Sequence, residues 1–485
     1  MTTPISQDPG GSVLGFHYPL PVNCKTECYL PVPIGTSTNI QLTQNPFCHC
    51  VIPNIIKDQD FVDRLQEEIL DLTFSEKNND LYKFHQSLED LKVIESPLIS
   101  RLRSFIYKDL LKWIQEVTGI ELNNNVDMSC ASYRYTDILL CHDDELDDRR
   151  VAFIYYLVPK SWREEDGGSL DLFCVDSKGE PREIVKSIHP KRNTFVFFEV
   201  GPTSFHQVSE ILTEDKTRLS VSGWFHGPPV YRPPAYVEIP PSPQPYLSIE
   251  EEEFYSWINP LYLDPETQAE IKDTFKEESQ IELHCFLQED KYEALMTVLK
   301  SKSDSQWKKQ GPAHKRHYWS LDNESPDIVQ SCVRFLQSDA MFLVLSSLTG
   351  LRLHELAQVS DDDDSDDECD NKKDTKGQAM CRSVVRRWTH GCYTLVHDSD
   401  IESGSWALDA VLFIDCDDWK PEYGGVTSYI AKGEKEELLS VCPKANGLAL
   451  VYRDTETCKF VKHLNKLITE LPNKCFYDIS SVYYE

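Results

Sequence analysis

The sequence predicts an α+β protein of two tandem domains, each a sandwich or barrel of short strands backed by helices. Three observations carry that reading. Short runs of β-branched and aromatic residues bounded by turn signals follow stretches of helical periodicity. Gly227 to Tyr246 holds eight prolines and divides the chain. The second half then repeats the landmarks of the first in the same order.

The first domain opens with residues 1–40, mixed and extended in character, before a helical pattern starts at Asp58 with Phe61, Val62, Leu65, Ile69 and Leu70 on one face. Ser96-Pro97 starts a second helix, since serine caps and proline suits the first turn. That helix carries Leu98, Leu102, Ile106, Leu110 and Ile114 and stops at Thr118-Gly119. Strand-like runs follow at Val151–Val158, Ser169–Cys174 after the Gly167-Gly168 turn, Thr194–Phe198 and Arg218–Trp224. The proline-rich stretch cannot continue a helix or sheet and reads as a semi-rigid linker. These signals set a first domain at 1–226, a linker at 227–246 and a second domain at 247–485.

The second domain repeats the first in outline. Ser325-Pro326 opens a helical stretch that ends at Thr349-Gly350, as Ser96-Pro97 does at Thr118-Gly119. Tyr393–Asp400 resembles Ile138–Glu145, and Ala410–Ile414 parallels the strand at Val151. Gly424-Gly425 answers Gly167-Gly168, and Pro443–Asn446 answers Pro190–Asn193. Five coincidences in register argue for a duplicated domain. The second copy is longer, chiefly through an acidic loop over 359–377 that is expected to be disordered.

Composition bounds the function. At 485 residues two domains are natural, and 40% hydrophobic residues with 22 Tyr, 21 Phe and 9 Trp supply packed cores. A net charge of -31 argues against a general nucleic-acid binder, so no direct DNA binding is expected; the field favours a basic partner. Met1–Leu20 lacks the basic and apolar regions of a signal peptide, and no apolar run is long enough to span a membrane. The sixteen cysteines are therefore expected as reduced thiols in a cytoplasmic and nuclear protein, taken to be a monomer. Neither Cys24/Cys28 nor Cys48/Cys50 has a matching second pair nearby for zinc.

The chemistry concentrates between Tyr133 and Trp224. Ferrous iron that must also bind a chelating co-substrate and dioxygen needs three protein ligands on one face, and two imidazoles with one carboxylate meet that need. Residues i and i+2 of an extended segment point the same way, so His142 and Asp144 can share a metal, with His206 as the distant third ligand. Arg218 follows in an alternating strand with Ser220 and Ser222, placed to hold the far carboxylate of a keto acid by a bidentate pair. Tyr133 and Tyr156 are candidate hydroxyl donors to that co-substrate, with Ser220 beside them.

His142-x-Asp144, His206 and Arg218 on a helix-backed β-run resemble the Fe(II)/2-oxoglutarate dioxygenases of the prolyl-hydroxylase type. More narrowly, Leu140–Leu146, Val196–Val200, Ser204–Ser209 and Arg218–His226 resemble the ribosomal prolyl 3-hydroxylases to which the yeast termination-and-polyadenylation protein is related, across nearly the whole chain. The resemblance implies two tandem double-stranded β-helix (jelly-roll, cupin-like) domains, with catalysis in the first. It implies Fe(II), 2-oxoglutarate and O2, with ascorbate (vitamin C) as reductant. It further implies hydroxylation at proline C3 of a basic small-subunit ribosomal protein near the decoding centre, affecting translation accuracy and termination, with translation termination factors as partners. Two readings stand beside it on the residues alone. One is an iron oxygenase acting on another protein residue or a nucleic acid. The other is an adaptor whose acidic loop recruits proteins around a vestigial triad.

The second domain is expected to be degenerate and non-catalytic. His397 falls where His142 does, but Ser399 stands two residues on, where a carboxylate is required. Counting from Pro443 as from Pro190 puts Lys459 at the place of His206, and an ammonium is no substitute for a neutral imidazole. No arginine falls at the place of Arg218, the nearest cation being Lys474.

Overall fold

In a computed structural model, which describes residues 40–146, 148–239, 241–321, 327–357, 379–396 and 406–484, the helix expected after Asp58 is α1, Gln59–Leu70, and the Asp58 carboxylate accepts from the Phe61 amide. The helix expected after Ser96 is capped by that serine through the Ile99 amide and ends at Gly119 with φ 70. It is not one regular helix. α2 (Pro97–Ser104) and α3 (Leu111–Thr118) are joined by a π-helical stretch, Phe105–Leu110, where the backbone ladder slips to i→i+5.

The chain divides into two compact units between Tyr236 and Val237, inside the proline-rich stretch. The strands of the first unit are β1 (Gln41–Thr43), β2 (His49–Pro53), β3 (Phe74–Asn78), β4 (Tyr82–Ser87), β5 (Val126–Tyr133), β6 (Ile138–His142), β7 (Arg149–Tyr156), β8 (Leu170–Val175), β9 (Pro181–Ile188), β10 (Thr194–Glu199), β11 (His206–Val208) and β12 (Arg218–His226). They form one antiparallel sheet in the order β1-β2-β10-β7-β12-β5-β4-β6-β11-β8-β9, with β3 on β4. From β5 onward the chain crosses repeatedly between the run β10-β7-β12-β5 and the run β6-β11-β8-β9. Side chains of both runs line one cavity, so the sheet curls on itself, consistent with a jelly roll.

Strand β7 shows why this curl is stable. Val151, Phe153 and Tyr155 join the core formed with α1, α2 and α3, while Ala152, Ile154 and Tyr156 pack on the other face with Leu170, Leu172 and Phe198. A strand covered on both faces reads as a continuous apolar run, as Val151–Val158 does.

The second unit, described by itself, has the strand order Gln280–Leu283, Gly447–Arg453, Ala407–Ile414, Cys475–Tyr484, Met380–Thr389, Arg316–Leu321 and Trp307–Gln310, with a second sheet of Glu437–Val441, Thr427–Ala431 and Thr457–Val461. Helices Glu251–Trp257, Glu289–Ser301, Ile328–Leu336 and Asp339–Thr349 share its core. The single helical stretch expected up to Thr349-Gly350 is split, because Ser338 leaves helical geometry and its hydroxyl accepts from the Met341 amide to start a new helix. Ser325-Pro326, the 359–377 loop, His397, Ser399 and residues 1–39 lie outside the described residues. The linker also departs from expectation, since Gln244–Pro245 pairs with Cys381 and Met380; proline is tolerated at such a sheet edge, where no ladder donor is required. Among the described residues no helix is long and apolar enough to cross a membrane.

One local device occurs in both units. Asn193, at φ 58, accepts from the Ile56 amide (3.1 Å) and donates to the Ile56 carbonyl (2.6 Å). Asn446, at φ 51, makes the same two bonds with Leu287, each 2.9 Å. Each asparagine ties the turn before a central strand to the segment entering a helix. Replacing Asn193 by Ala removes both bonds and a third, accepted from the Tyr155 hydroxyl at 3.2 Å, and places a Cβ-bearing residue without local hydrogen bonding in the left-handed region. The expected loss is about 2–4 kcal/mol of stability by chemical denaturation. Asn193→Gly, which tolerates the backbone, should cost less; equal losses would mean that the left-handed backbone is unimportant.

Candidate metal centre

β6 and β11 pair with His206 directly opposite His142, and the two imidazole rings lie 4.3 Å apart. The Nδ1 atom of each ring donates to the carbonyl two residues back, His142 to Leu140 and His206 to Ser204, both at 2.8 Å. A carbonyl only accepts, so Nδ1 carries the proton and Nε2 presents a lone pair. Asp144 lies between these atoms, with Oδ1 3.4 Å from His142 Nε2 and Oδ2 3.3 Å from His206 Nε2. The three ligand atoms lie within 4.8 Å of one another, and among the described residues no second such group of His, Cys, Asp and Glu occurs.

Asp144 does not arrive there by the strand alternation expected from His-x-Asp. β6 ends at His142, and Asp144 sits at φ 63, a left-handed conformation that aspartate tolerates better than most residues. Asp143 accepts from the Glu145 amide at 2.9 Å, which fixes the turn. Burial alone would raise the Asp144 pKa, but the imidazoles of His206 and His142 hold it well below the usual carboxylate range. Burial works against protonating His142, yet the adjoining Asp144 outweighs it and the pKa is raised. Arg149 approaches Asp144 at 3.8 Å while its guanidinium lies 3.5 Å over the Trp224 ring.

The guanidinium of Arg218 is deep in the same cavity, its residue 1% exposed. Its Nε donates to the Gly168 carbonyl at 2.8 Å and its Nη1 to Ser220 Oγ at 3.3 Å. Nη2 and the Tyr156 hydroxyl are buried side by side, close enough for the guanidinium to act on the hydroxyl, and neither reaches another polar partner among the described residues. The rings of Tyr133 and Tyr156 lie on the guanidinium, each 5.0 Å from Cζ. Burial pushes both tyrosine pKa values up, so both remain hydroxyl donors. Gly168 is required at this place. A Cβ there would stand 2.7 Å from Arg218 Cδ and 2.6 Å from Ile211 Cδ1, and its φ is +70.

Tyr133, His142, Asp144, His206, Arg218 and Ser220 line one cavity of about 500 Å³, while Tyr156 packs behind it against the Arg218 guanidinium. An unpaired buried cationic donor is costly, so Nη2 and the Tyr156 hydroxyl mark the place of an anionic ligand. His142, Asp144 and His206 present two imidazole nitrogens and a carboxylate, the set that suits non-haem iron. The site residues read from the sequence, His142, Asp144, His206, Arg218, Tyr133, Tyr156 and Ser220, are brought together, Ser220 touching the arginine. Sequence reasoning missed Tyr82, Phe84 and Gln86 of β4, which form another wall, and Arg149. The alternating run Tyr82–Ser87 was the available signal. Phe84 stacks on Tyr133, centroids 4.8 Å apart.

In the second unit, Lys459 lies opposite Tyr429, a pairing like that of His206 with Leu172 in the first. Lys459 Nζ is 3.1 Å from Asp409 Oδ1; Arg453 Nε and the Tyr429 hydroxyl donate to Asp409 Oδ2 at 3.1 and 3.2 Å. The place of Arg218, opposite Tyr133, is taken by Phe476, opposite Trp388 and stacked on it at 6.1 Å. An internal ion-pair network and an aromatic stack thus occupy the counterpart of the first unit's site.

Residues 128–226 match the 2OG-Fe(II) oxygenase superfamily, and residues 238–485 match the family described as oxoglutarate and iron-dependent oxygenase degradation C-term. The chain is 45% identical to "Prolyl 3-hydroxylase OGFOD1" of Mus musculus, over 92% of this chain and 90% of that one. It is 47% identical to the protein of that name from Xenopus laevis, over 93% and 90%. It is 31% identical to "Prolyl 3-hydroxylase sudestada1" of Drosophila melanogaster, over 89% and 82%.

Burial would raise the Asp409 pKa, but Lys459 and Arg453 bring it down to about 2, while burial lowers Lys459 to about 8. The folded state therefore favours ionised Asp409. That stability is complete above the unfolded value of about 4 and is lost as pH falls toward about 2. Asp409→Asn, which leaves two buried cations without a carboxylate, is expected to cost about 3–5 kcal/mol and to flatten this acid limb. Lys459→Met, which leaves the Arg453 pair, should cost less than half as much. Denaturation midpoints of the full chain between pH 7 and pH 2 check both, and equal losses in the two variants would contradict this description of the network.

Proposed function

The chain belongs to the Fe(II)- and 2-oxoglutarate-dependent prolyl hydroxylases, and from that premise we propose that its first unit hydroxylates C3 of a proline in a basic small-subunit ribosomal protein near the decoding centre, with effects on translation accuracy and termination. The observation that carries the co-substrate site is Arg218 Nη2, buried against the Tyr156 hydroxyl with no acceptor for its charge among the described residues. The relatives are named prolyl 3-hydroxylases, which supports C3, and the net charge of -31 suits a basic substrate. Ascorbate as reductant, translation termination factors as partners, a monomeric state and cytoplasmic and nuclear residence belong to the same proposal.

His142 and His206 would hold the iron through Nε2, each ring oriented by its Nδ1 bond to the main chain, and Asp144 would supply the carboxylate. Arg218 and Tyr156 would grip the far carboxylate of 2-oxoglutarate, while Ser220 and the Gly168 carbonyl hold the guanidinium in place. With 2-oxoglutarate and dioxygen, bound iron supplies the oxidising chemistry that converts a C–H bond to an alcohol. Tyr82, Phe84 and Trp224 would exclude water and offer an apolar wall to the prolyl ring. Arg149, between Trp224 and Asp144, would orient the ligand carboxylate.

The two units are, in this proposal, tandem double-stranded β-helix domains of which the second is degenerate. Lys459 at the place of His206 and Phe476 at the place of Arg218 support that assignment. Its role would be to brace the catalytic domain or to dock a partner.

Incubation of proline-containing peptides from basic small-subunit ribosomal proteins should add one oxygen to proline, dependent on iron and 2-oxoglutarate, with 3-hydroxyproline identified against authentic standards. Unmodified peptides under conditions of succinate release would overturn the substrate reading. Arg218→Met should raise the KM for 2-oxoglutarate about 30-fold or more, since truncating a buried charge pair costs roughly 2–5 kcal/mol. Iron binding should persist in that variant; an unchanged KM would remove Arg218 from the co-substrate site.

A further inference from the structure

After β12 the chain crosses the first unit as an exposed strap. Its start is fixed by Gly227, whose amide donates to the Asp148 carbonyl, and by Pro228, whose carbonyl accepts from Arg150. Its end is held by Lys178, lying 4.1 Å over the Tyr236 ring. Between them, every residue from 228 to 237 is exposed except Arg232. The Arg232 side chain is 16% exposed, and its Nε lies 3.0 Å from Glu145 Oε1. Glu145 lines the iron cavity, one residue past the Asp144 ligand.

Glu145 is the partly exposed acid of the cavity lining. Asp143, the other acidic residue on that side of the lining, is turned toward the Glu145 amide. The lining cations, Arg149 and Arg218, are directed to Asp144 and to the depth of the cavity. The Glu145 side chain is 49% exposed against 16% for Arg232, so water and an incoming ligand reach the pair from the acid's side. Arg232 also leaves Nη1 buried with no hydrogen-bond partner among the described residues, so it does not use its full donor fork. A cation is thus held at this acid from the middle of a strap whose other residues between 228 and 237 are exposed.

We propose that Glu145 is a specificity residue that selects peptides carrying a cationic side chain beside the target proline, and that Arg232 stands in for that side chain in the free enzyme. The proposal rests on the prolyl-hydroxylase reading. Peptide entry exchanges one guanidinium or ammonium for another at the same carboxylate, so the strap moves aside without leaving Glu145 unpaired. Neutral or acidic peptides must displace Arg232 without replacing it.

The test uses the full chain with two prolyl peptides that differ only in a lysine or a norleucine next to the proline. Wild-type enzyme should show a KM lower by roughly three- to tenfold for the lysine peptide, the range of a solvent-accessible charge pair. Arg232→Gln should lower the norleucine KM toward the lysine value. Glu145→Lys should reverse the preference toward a glutamate-bearing peptide. Equal KM values for the wild type, or an Arg232→Gln change that leaves the norleucine KM where it was, would overturn the proposal. If the wild type hydroxylates neither peptide, the prolyl-hydroxylase reading fails instead. The charge preference is then read from fluorescence anisotropy of the labelled peptides on enzyme loaded with Mn(II) and 2-oxoglutarate, where equal binding again overturns it.

Discussion

The antiparallel register that sets His206 opposite His142 is the constraint on which the site depends. It joins β6 to β11, crosses from one strand connection to another far along the chain, and leaves Asp144 between two oriented imidazoles. A slip of one residue would turn either histidine to the other face. The curl of the sheet follows from the same requirement. Strands β5, β7 and β12 must cover the cavity from one side while β6, β8 and β11 cover it from the other. Helices α1, α2 and α3 bury the outer face of the first group and hold the curvature.

A second constraint is the burial of Arg218. A guanidinium 1% exposed is costly without an anion, and here only part of its fork is satisfied by Gly168 and Ser220. The protein holds the charge between two aromatic faces, the rings of Tyr133 and Tyr156. The second unit meets the same topological position differently. There Phe476 removes the charge, and Lys459 brings an internal cation to Asp409. The two interiors thus differ in kind, one lined around a cavity and one filled by its own ion pairs.

Much of this was legible in the sequence, because capping, alternation and side-chain chemistry are local. Asp58 and Ser96 announced their helices, the run at Val151 announced a strand buried on both faces, and His142, Asp144, His206 and Arg218 announced their chemistry. What escaped was set by tertiary geometry. Phe74–Asn78 is too polar to stand out as a strand, so the β3–β4 hairpin and its wall of Tyr82, Phe84 and Gln86 were missed. Asp144 reaches its place through a left-handed backbone, not through strand alternation. Phe476 was missed because it stands seventeen positions after Lys459, where Arg218 stands twelve after His206. The extra length includes the helical turn Lys466–Glu470, which breaks any count along the chain.

The central claim is that a single site, in the first unit, holds the iron. Metal analysis of the anaerobically reconstituted full chain, with the ultraviolet-visible band that forms when 2-oxoglutarate chelates Fe(II), tests it most directly. The account predicts one tightly held iron per chain and loss of both metal and band in Asp144→Ala. Two irons per chain, or one iron and an undiminished band in Asp144→Ala, would contradict it.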